Sequence, residues 1–161
     1  MLPQPEDIAS PILRQLFLYW DTRRGGREFP ARRDIDPLDF PYALGNVMLV
    51  DVLYGPLRFR FRLHGTELAL RAGYDMTGKM IGQLPDPENR GVLLERCQTL
   101  VETRRPIFVA ANRLVDTRPC SYEAIWLPLS DGGGAVTMLM GALIYCDSAA
   151  APGRWRPVAA G

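Results

Sequence analysis

The sequence predicts an α+β domain built on a five-stranded antiparallel sheet. Two strand-like segments are followed by two helical segments and then by three more strand-like segments. The first two strands form a hairpin with one wholly apolar face, which needs a layer of helices over it. The last strand, residues 135–145, is apolar on both faces, as is typical of a central strand covered on both sides. We therefore expect helices on one face of the sheet and some other cover on the opposite face.

The composition is that of one ordinary globular domain with terminal extensions. The 161 residues are 47% hydrophobic and 23% charged, which is enough for a real core. The formal net charge of +1 predicts neither a nucleic-acid partner nor binding to an anionic membrane. Cys97, Cys120 and Cys146 are odd in number and lack metal-ligand spacing, so neither a disulfide framework nor a metal site is expected. With no leader sequence and no long apolar run, the sequence predicts a cytoplasmic protein without a membrane span.

The N-terminal part predicts an amphipathic helix after a short disordered lead. Residues 1–7 are polar and proline-rich, and the helical region covers residues 8–26. Ser10 is the expected N-cap, Pro11 the first helical residue and Gly25 the stop. An apolar stripe runs along one side, and each of its side chains is worth about 1.5–3 kcal/mol when buried. The outer sheet face or a second copy of the chain must cover this stripe. It comprises Ile12, Leu13, Leu16, Phe17 and Trp20.

An ordered connector rich in proline and aspartate opens the main domain, residues 27–146. The first two strands follow at residues 47–54 and 57–64, and a Gly-Pro pair forms the turn between them. A tail rich in alanine, proline and arginine, residues 147–161, is predicted to be disordered.

The pairing of these two strands predicts what each sheet face carries. With a two-residue loop, Val52 lies opposite Phe59 and Asp51 lies opposite Arg60. The first face is wholly apolar and carries Val50, Val52, Phe59 and Phe61. The second face is mixed and carries Asp51, Arg58, Arg60, Arg62 and His64. The arginine row could receive an acidic ligand or partner, although a solvated or helix-covered sheet face is the stronger expectation.

The stretch RFRLHGTELALRAGYDMTGK, residues 60–79, turns sharply from the second strand into helices. Gly65 and Gly73 are expected to supply backbone freedom there, and Thr66 is expected to cap a short helix. That helix is followed by a longer one over Pro87–Thr103. Three strands then complete the domain at residues 107–114, 121–129 and 135–145, and the sequence SDGGG forms the last turn.

The order of these elements resembles that of the PAS domain. Several phrases resemble one PAS-like family of short, mostly stand-alone bacterial proteins, chiefly alphaproteobacterial: LYWDTRRGG, PARRDIDPLDF, FRFRLHGTEL, GYDMTGK and LPLSDGGGAV. The resemblance spans about residues 16–145, nearly all of the predicted folded part. It implies a signalling role, a cavity between sheet and helices that holds a ligand in some relatives, and dimerisation through the N-terminal helix.

Three sets of site candidates follow. The candidates for the cavity lining are Val50, Val52, Phe59, Phe61, Trp126, Met138 and Met140. The structural corner comprises Gly65, Thr66, Gly73 and Gly78. The candidates for a dimer or docking helix are Leu13, Leu16, Phe17 and Trp20.

No cofactor is expected. His64 is the only histidine and shares a face with the arginine row, away from the cavity, so haem ligation is not expected. A flavin photosensor of the PAS superfamily would need a reactive cysteine in the phrase NCRFLQ, whereas Cys97 is followed by QTLVE. The expected role of the cysteines is that of small buried hydrophobic residues. Asp34 and Asp36 could bind a cation, but the adjacent arginines favour ion pairing and capping.

The sequence has no catalytic motif, so we expect no enzymatic activity. The leading hypothesis is a homodimeric, non-catalytic PAS-like sensory module that binds a small apolar or acidic ligand, a signalling protein partner, or both. The alternative is a small-molecule enzyme or carrier that uses the cavity of a curved sheet. A buried carboxylate among Glu67, Asp75 and Glu123 would favour that alternative. A third hypothesis is a structural homodimeric adaptor whose own side chains fill the cavity.

Overall fold

A computed structural model describes residues 4–146 and 157–158 of the chain. In chain order, the helices and strands are α1 (Pro11–Arg24), β1 (Val47–Leu53), β2 (Arg58–His64), α2 (Thr66–Ala72), α3 (Pro87–Thr103), β3 (Ile107–Val115), β4 (Arg118–Leu129) and β5 (Met138–Tyr145). The strands form one antiparallel sheet in the order β2-β1-β5-β4-β3. The predicted fold class is confirmed, and β5 is the central strand. Residues 1–3 and most of the predicted tail lie outside the described residues.

The N-terminal lead is ordered where the structure describes it. Pro5–Asp7 form one turn of 3-10 helix, which corrects the expectation of disorder for these residues. The Arg14 guanidinium donates hydrogen bonds to the carbonyl oxygens of Pro5 and Ile8. Ile8 is fully buried. These contacts hold the turn against α1.

Helix α1 packs on the outer face of its own sheet. As predicted, the Ser10 hydroxyl accepts a hydrogen bond from the N–H of Leu13 and caps the helix. The N–H of Ser10 in turn donates to the Glu123 carboxylate of β4, and Nε1 of Trp20 donates to the carbonyl of Pro128, each over 3.0 Å. The predicted stripe is buried within the single chain at Leu13, Leu16, Phe17 and Trp20. These four side chains are therefore core residues. They are not available as a dimer surface, so the structure corrects their expected role in a dimer interface.

The β1–β2 hairpin has the predicted register for most of its length. The confirmed pairs are Val50–Phe61, Asp51–Arg60 and Val52–Phe59. A β-bulge follows, because Leu49 pairs with Leu63 and leaves Arg62 as an extra residue. An extra residue reverses the side-chain alternation beyond it, so His64 lies on the same face as Phe61.

The corner between β2 and α2 depends on close backbone approach. Gly65 is the N-cap of α2, and a Cβ atom there would lie 2.7 Å from the carbonyl oxygen of Val47 and closer still to that of Gly45. Thr66 is the first residue of the helix, and no side chain caps it, so the predicted capping role is wrong. Gly73 ends α2 in the left-handed conformation at φ 82°.

The segment after α2 runs along the free edge of β2. The N–H of Gly78 donates to the carbonyl of Phe61 over 2.7 Å, and the N–H of Phe61 donates to the carbonyl of Lys79 over 2.8 Å. Gly78 has φ 82°, a conformation that favours glycine. These bonds pair the backbone groups of an edge strand that would otherwise face solvent.

Helix α3 has the predicted bounds and covers the inner sheet face together with α2. Its buried side includes Leu93 and Leu100 together with Cys97, whose burial the sequence predicted, and Asn89, whose burial it did not. The strands β3 and β4 are longer than predicted. A tight turn joins them, with both Asp116 and Thr117 at positive φ.

Candidate ligand-binding cavity

A small cavity lies between the inner sheet face and helices α2 and α3. Its volume is about 60 Å³, which is room for a few water molecules. The apolar part of its lining includes Met48, Phe61, Leu68, Leu93 and Leu143. The polar part includes Asn89, Arg113, Asp116, Arg118 and Tyr122. Apolar walls with a few converging polar groups are typical of small-molecule sites in proteins.

Of the seven predicted lining residues, all of which the structure describes, Phe61 alone lines the cavity. Four share its face of the sheet but are packed into the core, namely Val50, Val52, Phe59 and Trp126. Met138 lies opposite Asp51 and Met140 lies opposite Leu49, so both are on the outer face. The prediction for the two methionines is wrong, because a strand that is apolar on both sides does not indicate which face is the inner one.

His64 lines the cavity, which corrects its predicted position beside the arginine row. Its Nδ1 accepts a 3.1 Å hydrogen bond from the N–H of Met76, so the neutral ring carries its proton on Nε2. Burial lowers the pKa of His64 to about 4, although the Asp75 carboxylate, 3.9 Å from Nδ1, acts in the opposite direction. The ring is therefore neutral near pH 7, and it packs beside Phe61 and Tyr74.

Arg113 brings a positive charge to the cavity from β3. Its Nε donates to the hydroxyl of Tyr122 over 2.9 Å, and its Nη2 donates to Oδ1 of Asn89 over 2.7 Å. Both acceptors are neutral. The third nitrogen, Nη1, is buried and has no hydrogen-bond acceptor among the described residues. Most buried donors in proteins have an acceptor, so this nitrogen is an exception that requires an explanation.

The β3–β4 turn is fixed to the start of α3 beside the cavity. The Asp86 carboxylate accepts hydrogen bonds from the N–H groups of Asp116 and Glu88, over 2.8 and 3.0 Å. The bond from Asp116 is the main reason that the pKa of Asp86 lies below its usual value; a smaller contribution comes from the charge of Arg113. The Asp116 carboxylate in turn accepts a 2.9 Å bond from the hydroxyl of Tyr74. These bonds hold the polar part of the cavity in place.

Two further arginines connect α2 to the inner sheet face. The guanidinium of Arg71 stacks on the ring of Tyr145, 3.5 Å from its centroid. Arg118, which lines the cavity, donates through Nη2 to the carbonyl of Arg71. Burial raises the pKa of Tyr145 to about 12, so its hydroxyl stays protonated. Both arginines therefore hold α2 against the strands beside the cavity.

The cavity in its present shape does not fit haem or flavin. Its volume of about 60 Å³ is well below the roughly 300–1,000 Å³ of ordinary ligand pockets. Cys97 is buried outside the cavity lining, and burial raises its pKa to about 12, which leaves an unreactive thiol. Cys120 is the cysteine that lines the cavity. The absence of haem and flavin remains a prediction.

Among the described residues, no group of three or more His, Cys, Asp or Glu side chains could hold a metal ion. No helix in that part of the chain is long and apolar enough to cross a bilayer.

The polar residues of the cavity were not predicted from the sequence, although one signal was present. Alternate residues of β3 face the same side, and all but one of them are apolar: Ile107, Val109, Ala111 and Val115. Arg113 is the single charged residue in that row. A charge in an otherwise apolar row indicates a special environment, and this pattern could have drawn attention to Arg113. No comparable signal exists for Asn89, because the long helix has several polar residues.

Comparisons with known proteins agree with the observed fold. Residues 8–144 match a family model described as the PAS domain. The PAS domain of BvgS from Bordetella pertussis superposes with a TM-score of 0.51 and 18% identity, covering 83% of this chain and 88% of that one. A light-oxygen-voltage domain studied with a flavin analogue superposes with a TM-score of 0.51 and 16% identity, covering 69% of this chain and 82% of that one. No curated protein sequence matches the chain significantly.

The antiparallel sheet, with two helices over one face and a small cavity beneath them, is an α+β architecture of the kind that these comparisons match. The family match covers most of the chain, and the chain belongs to the PAS domain family. Members of this family are generally sensory signalling modules. The two superposed structures are under 20% identical to this chain and show the fold alone.

Proposed function

We propose that this chain is a non-catalytic sensory module that binds a small molecule in its cavity and signals to a protein partner. The observation that carries the proposal is the buried Nη1 of Arg113, a donor with no acceptor among the described residues, beside apolar walls. A ligand group at this nitrogen would satisfy the donor, and the apolar walls would bury the rest of the ligand.

The position of the cavity supports signalling by non-covalent contact. Asn89 of α3 and Asp116 of the β3–β4 turn both line it, and Asp86 already links these two elements. If α3 and the turn can adopt two arrangements, a ligand with higher affinity for one of them shifts the population toward that arrangement. The partner would detect that shift at the surface of α3 or of β3, an edge strand of the sheet.

We also propose a cytoplasmic homodimer without a nucleic-acid partner. Since the stripe of α1 is buried, the proposed interface is the exposed side of that helix, where Leu18 is 46% exposed and lines a shallow groove with Tyr19 and Tyr42. Leu38 is 83% exposed and precedes Asp39, whose carboxylate accepts a hydrogen bond from the hydroxyl of Tyr19. Large exposed apolar side chains favour a protein interface. Light scattering should report a dimer for the native chain and a monomer for Leu18→Glu; an unchanged mass would contradict this interface.

The two other hypotheses find less support. None of the three carboxylates that would favour an enzyme lies in the cavity lining. Glu67 and Asp75 are exposed, and Glu123 faces α1 on the outer side of the sheet. An adaptor whose own side chains fill its cavity would leave no space beneath α2 and α3, whereas about 60 Å³ remains there.

Native mass spectrometry of protein purified from its own host tests the proposal. We expect an additional small mass that is released on unfolding. A Leu93→Phe variant, which fills part of the cavity, should lose that mass while keeping its circular dichroism spectrum. The matched control is Leu114→Phe, which changes an exposed leucine of β3. Native protein without any bound mass, or a mass retained equally by both variants, would contradict the proposal.

A further inference from the structure

We infer that the ligand of this cavity is a small monocarboxylic acid, bound as the carboxylate by Arg113, with its apolar tail against the leucine side chains. This inference rests on the proposed function, since it names the ligand class of the same cavity. It is argued from the donors of Arg113, the charges around it and the volume available.

The donors of Arg113 are only partly used within the chain. A guanidinium has five N–H donors in a planar fork. Tyr122 and Asn89 accept from Nε and Nη2, and Nη1 is buried with no acceptor among the described residues. A carboxylate oxygen at Nη1 would satisfy it, and charge-assisted hydrogen bonds of this kind are shorter and stronger than neutral ones.

The charge of Arg113 is also not paired by direct contact. Its two bonded partners are neutral, and no carboxylate of the described residues forms an ion pair with it. The charged lining residues are Arg113, Arg118 and Asp116, which leaves a net charge of +1. Asp116 already accepts from Tyr74, and Asp86 accepts from backbone N–H groups. Arg113, Arg118 and Asp116 are half-buried, and an excess positive charge in a partly enclosed cavity favours an anionic ligand.

The volume and the apolar walls limit the rest of the ligand. About 60 Å³ accommodates a molecule the size of a few waters, such as the two-carbon acid acetate, which has four heavy atoms. Phe61, Leu68 and Leu93 offer apolar contact to its tail. Dicarboxylates are larger than this space, and the net charge of +1 on the lining residues balances one carboxylate but not two. We therefore infer a monocarboxylate and not a dicarboxylate.

The test compares acetate with acetamide on the full chain. The two probes have the same size and shape, but only acetate is charged. Titrations followed by backbone amide NMR shifts of Asn89, Leu93 and Arg113 should give a dissociation constant at least ten-fold lower for acetate. Arg113→Gln should weaken acetate binding to the level of acetamide. The matched control is Arg58→Gln, which removes the same charge from an exposed position on the outer face and should leave both constants unchanged.

Each contrary outcome has a separate meaning. Equal binding of acetate and acetamide by the native chain would overturn the inferred ligand class, and this comparison needs no variant, so it decides even if Arg113→Gln fails to fold. Acetate binding unchanged in a folded Arg113→Gln would overturn the role of Arg113. If neither probe binds, the inference is wrong, and native mass spectrometry of protein from its own host then tests the proposed function separately. A bound small mass in that experiment would show a ligand of another class, and no bound mass would count against ligand binding altogether.

Discussion

The backbone N–H of Met76 donates a 3.1 Å hydrogen bond to Nδ1 of His64. Protonation of Nδ1 would leave the N–H of Met76 without this acceptor. The backbone N–H of His64 donates in turn to the hydroxyl of Thr77 over 3.1 Å. His64 thus holds the segment after α2 with both its ring and its backbone. The ring makes this hydrogen bond in its neutral, buried form. The stability of this corner therefore depends on pH.

We predict that the chain loses stability as the pH falls from 7 to 5, and that His64 is the cause. The pKa of His64 is lowered to about 4 by burial, whereas an unfolded histidine titrates near 6.5. The unfolded state therefore binds a proton first, so the stabilisation is present above about pH 6.5 and is lost towards pH 4. Between pH 7 and 5 the loss should be about 2 kcal/mol, measured by urea unfolding.

His64→Gln is the control for this prediction. The variant should be less stable at pH 7, but its free energy of unfolding should change little between pH 7 and 5, since His64 is the only histidine. Carboxylates with lowered pKa values, such as Asp34 and Asp86, change the free energy of unfolding mainly at lower pH. Parallel pH profiles for the native chain and the variant would show that His64 is not the cause.

Gly65→Ala and Gly73→Ala should both destabilise the chain, for different reasons. At Gly65 the new Cβ would overlap backbone oxygens, including that of Val47 at 2.7 Å, so the strand end must move. At Gly73 the left-handed φ of 82° disfavours any β-carbon by about 1 kcal/mol or more. Each kcal/mol lowers the melting temperature by roughly 2–4 °C in a domain of this size. Calorimetry should rank Gly65→Ala as the more severe variant.

Two matched variants complete this comparison. Gly91→Ala, at an exposed position in the second turn of α3 with open space around it, should raise the melting temperature by removing a poor helix former, a gain of about 0.5–1 kcal/mol. Thr66→Ala should have little effect, because Thr66 does not cap α2. If all four substitutions changed the melting temperature alike, backbone geometry would not be the reason for the glycines.

Trp20→Ala should be among the most destabilising single substitutions in α1. Its ring is fully buried and its Nε1 bonds the carbonyl of Pro128, so the change leaves both a cavity and an unpaired acceptor. Such a change usually costs about 3–5 kcal/mol, or roughly 6–20 °C in melting temperature. Leu70→Ala, which changes a leucine of α2 that is 52% exposed, is the control and should cost little. Similar melting temperatures for the two variants would contradict the packing of α1 on the sheet.

The purified chain should be colourless, with neither a haem nor a flavin absorption band. The cavity, at about 60 Å³, is too small for either group, and Cys97 lies outside its lining. An absorption spectrum of protein from its own host checks this prediction. A Soret band that disappears in His64→Ala would contradict it, as would a flavin spectrum that survives gel filtration.

The sequence by itself determined the local elements and most of the strand pairing. Its alternation and turn signals placed β1 and β2 in register through the pair Val52–Phe59, and the Ser10-Pro11 start of α1 and the bounds of α3 were also correct. The apolar character of β5 on both faces predicted its central position. These features depend on neighbours in the chain or across one turn, and such short-range rules can be applied to a single sequence.

The tertiary structure alone decided which residues surround the cavity. One extra residue in β2, Arg62, moved His64 from the outer face to the inner one, and no pattern in the sequence marks a bulge at that place. Met138 and Met140 turned outward because β5 is apolar on both sides and its register comes from β1 and β4. Arg113 meets Asn89 and Tyr122 only when β3, α3 and β4 pack together. Sites assembled from distant segments depend on packing, and packing is the part of the fold that local sequence rules do not contain.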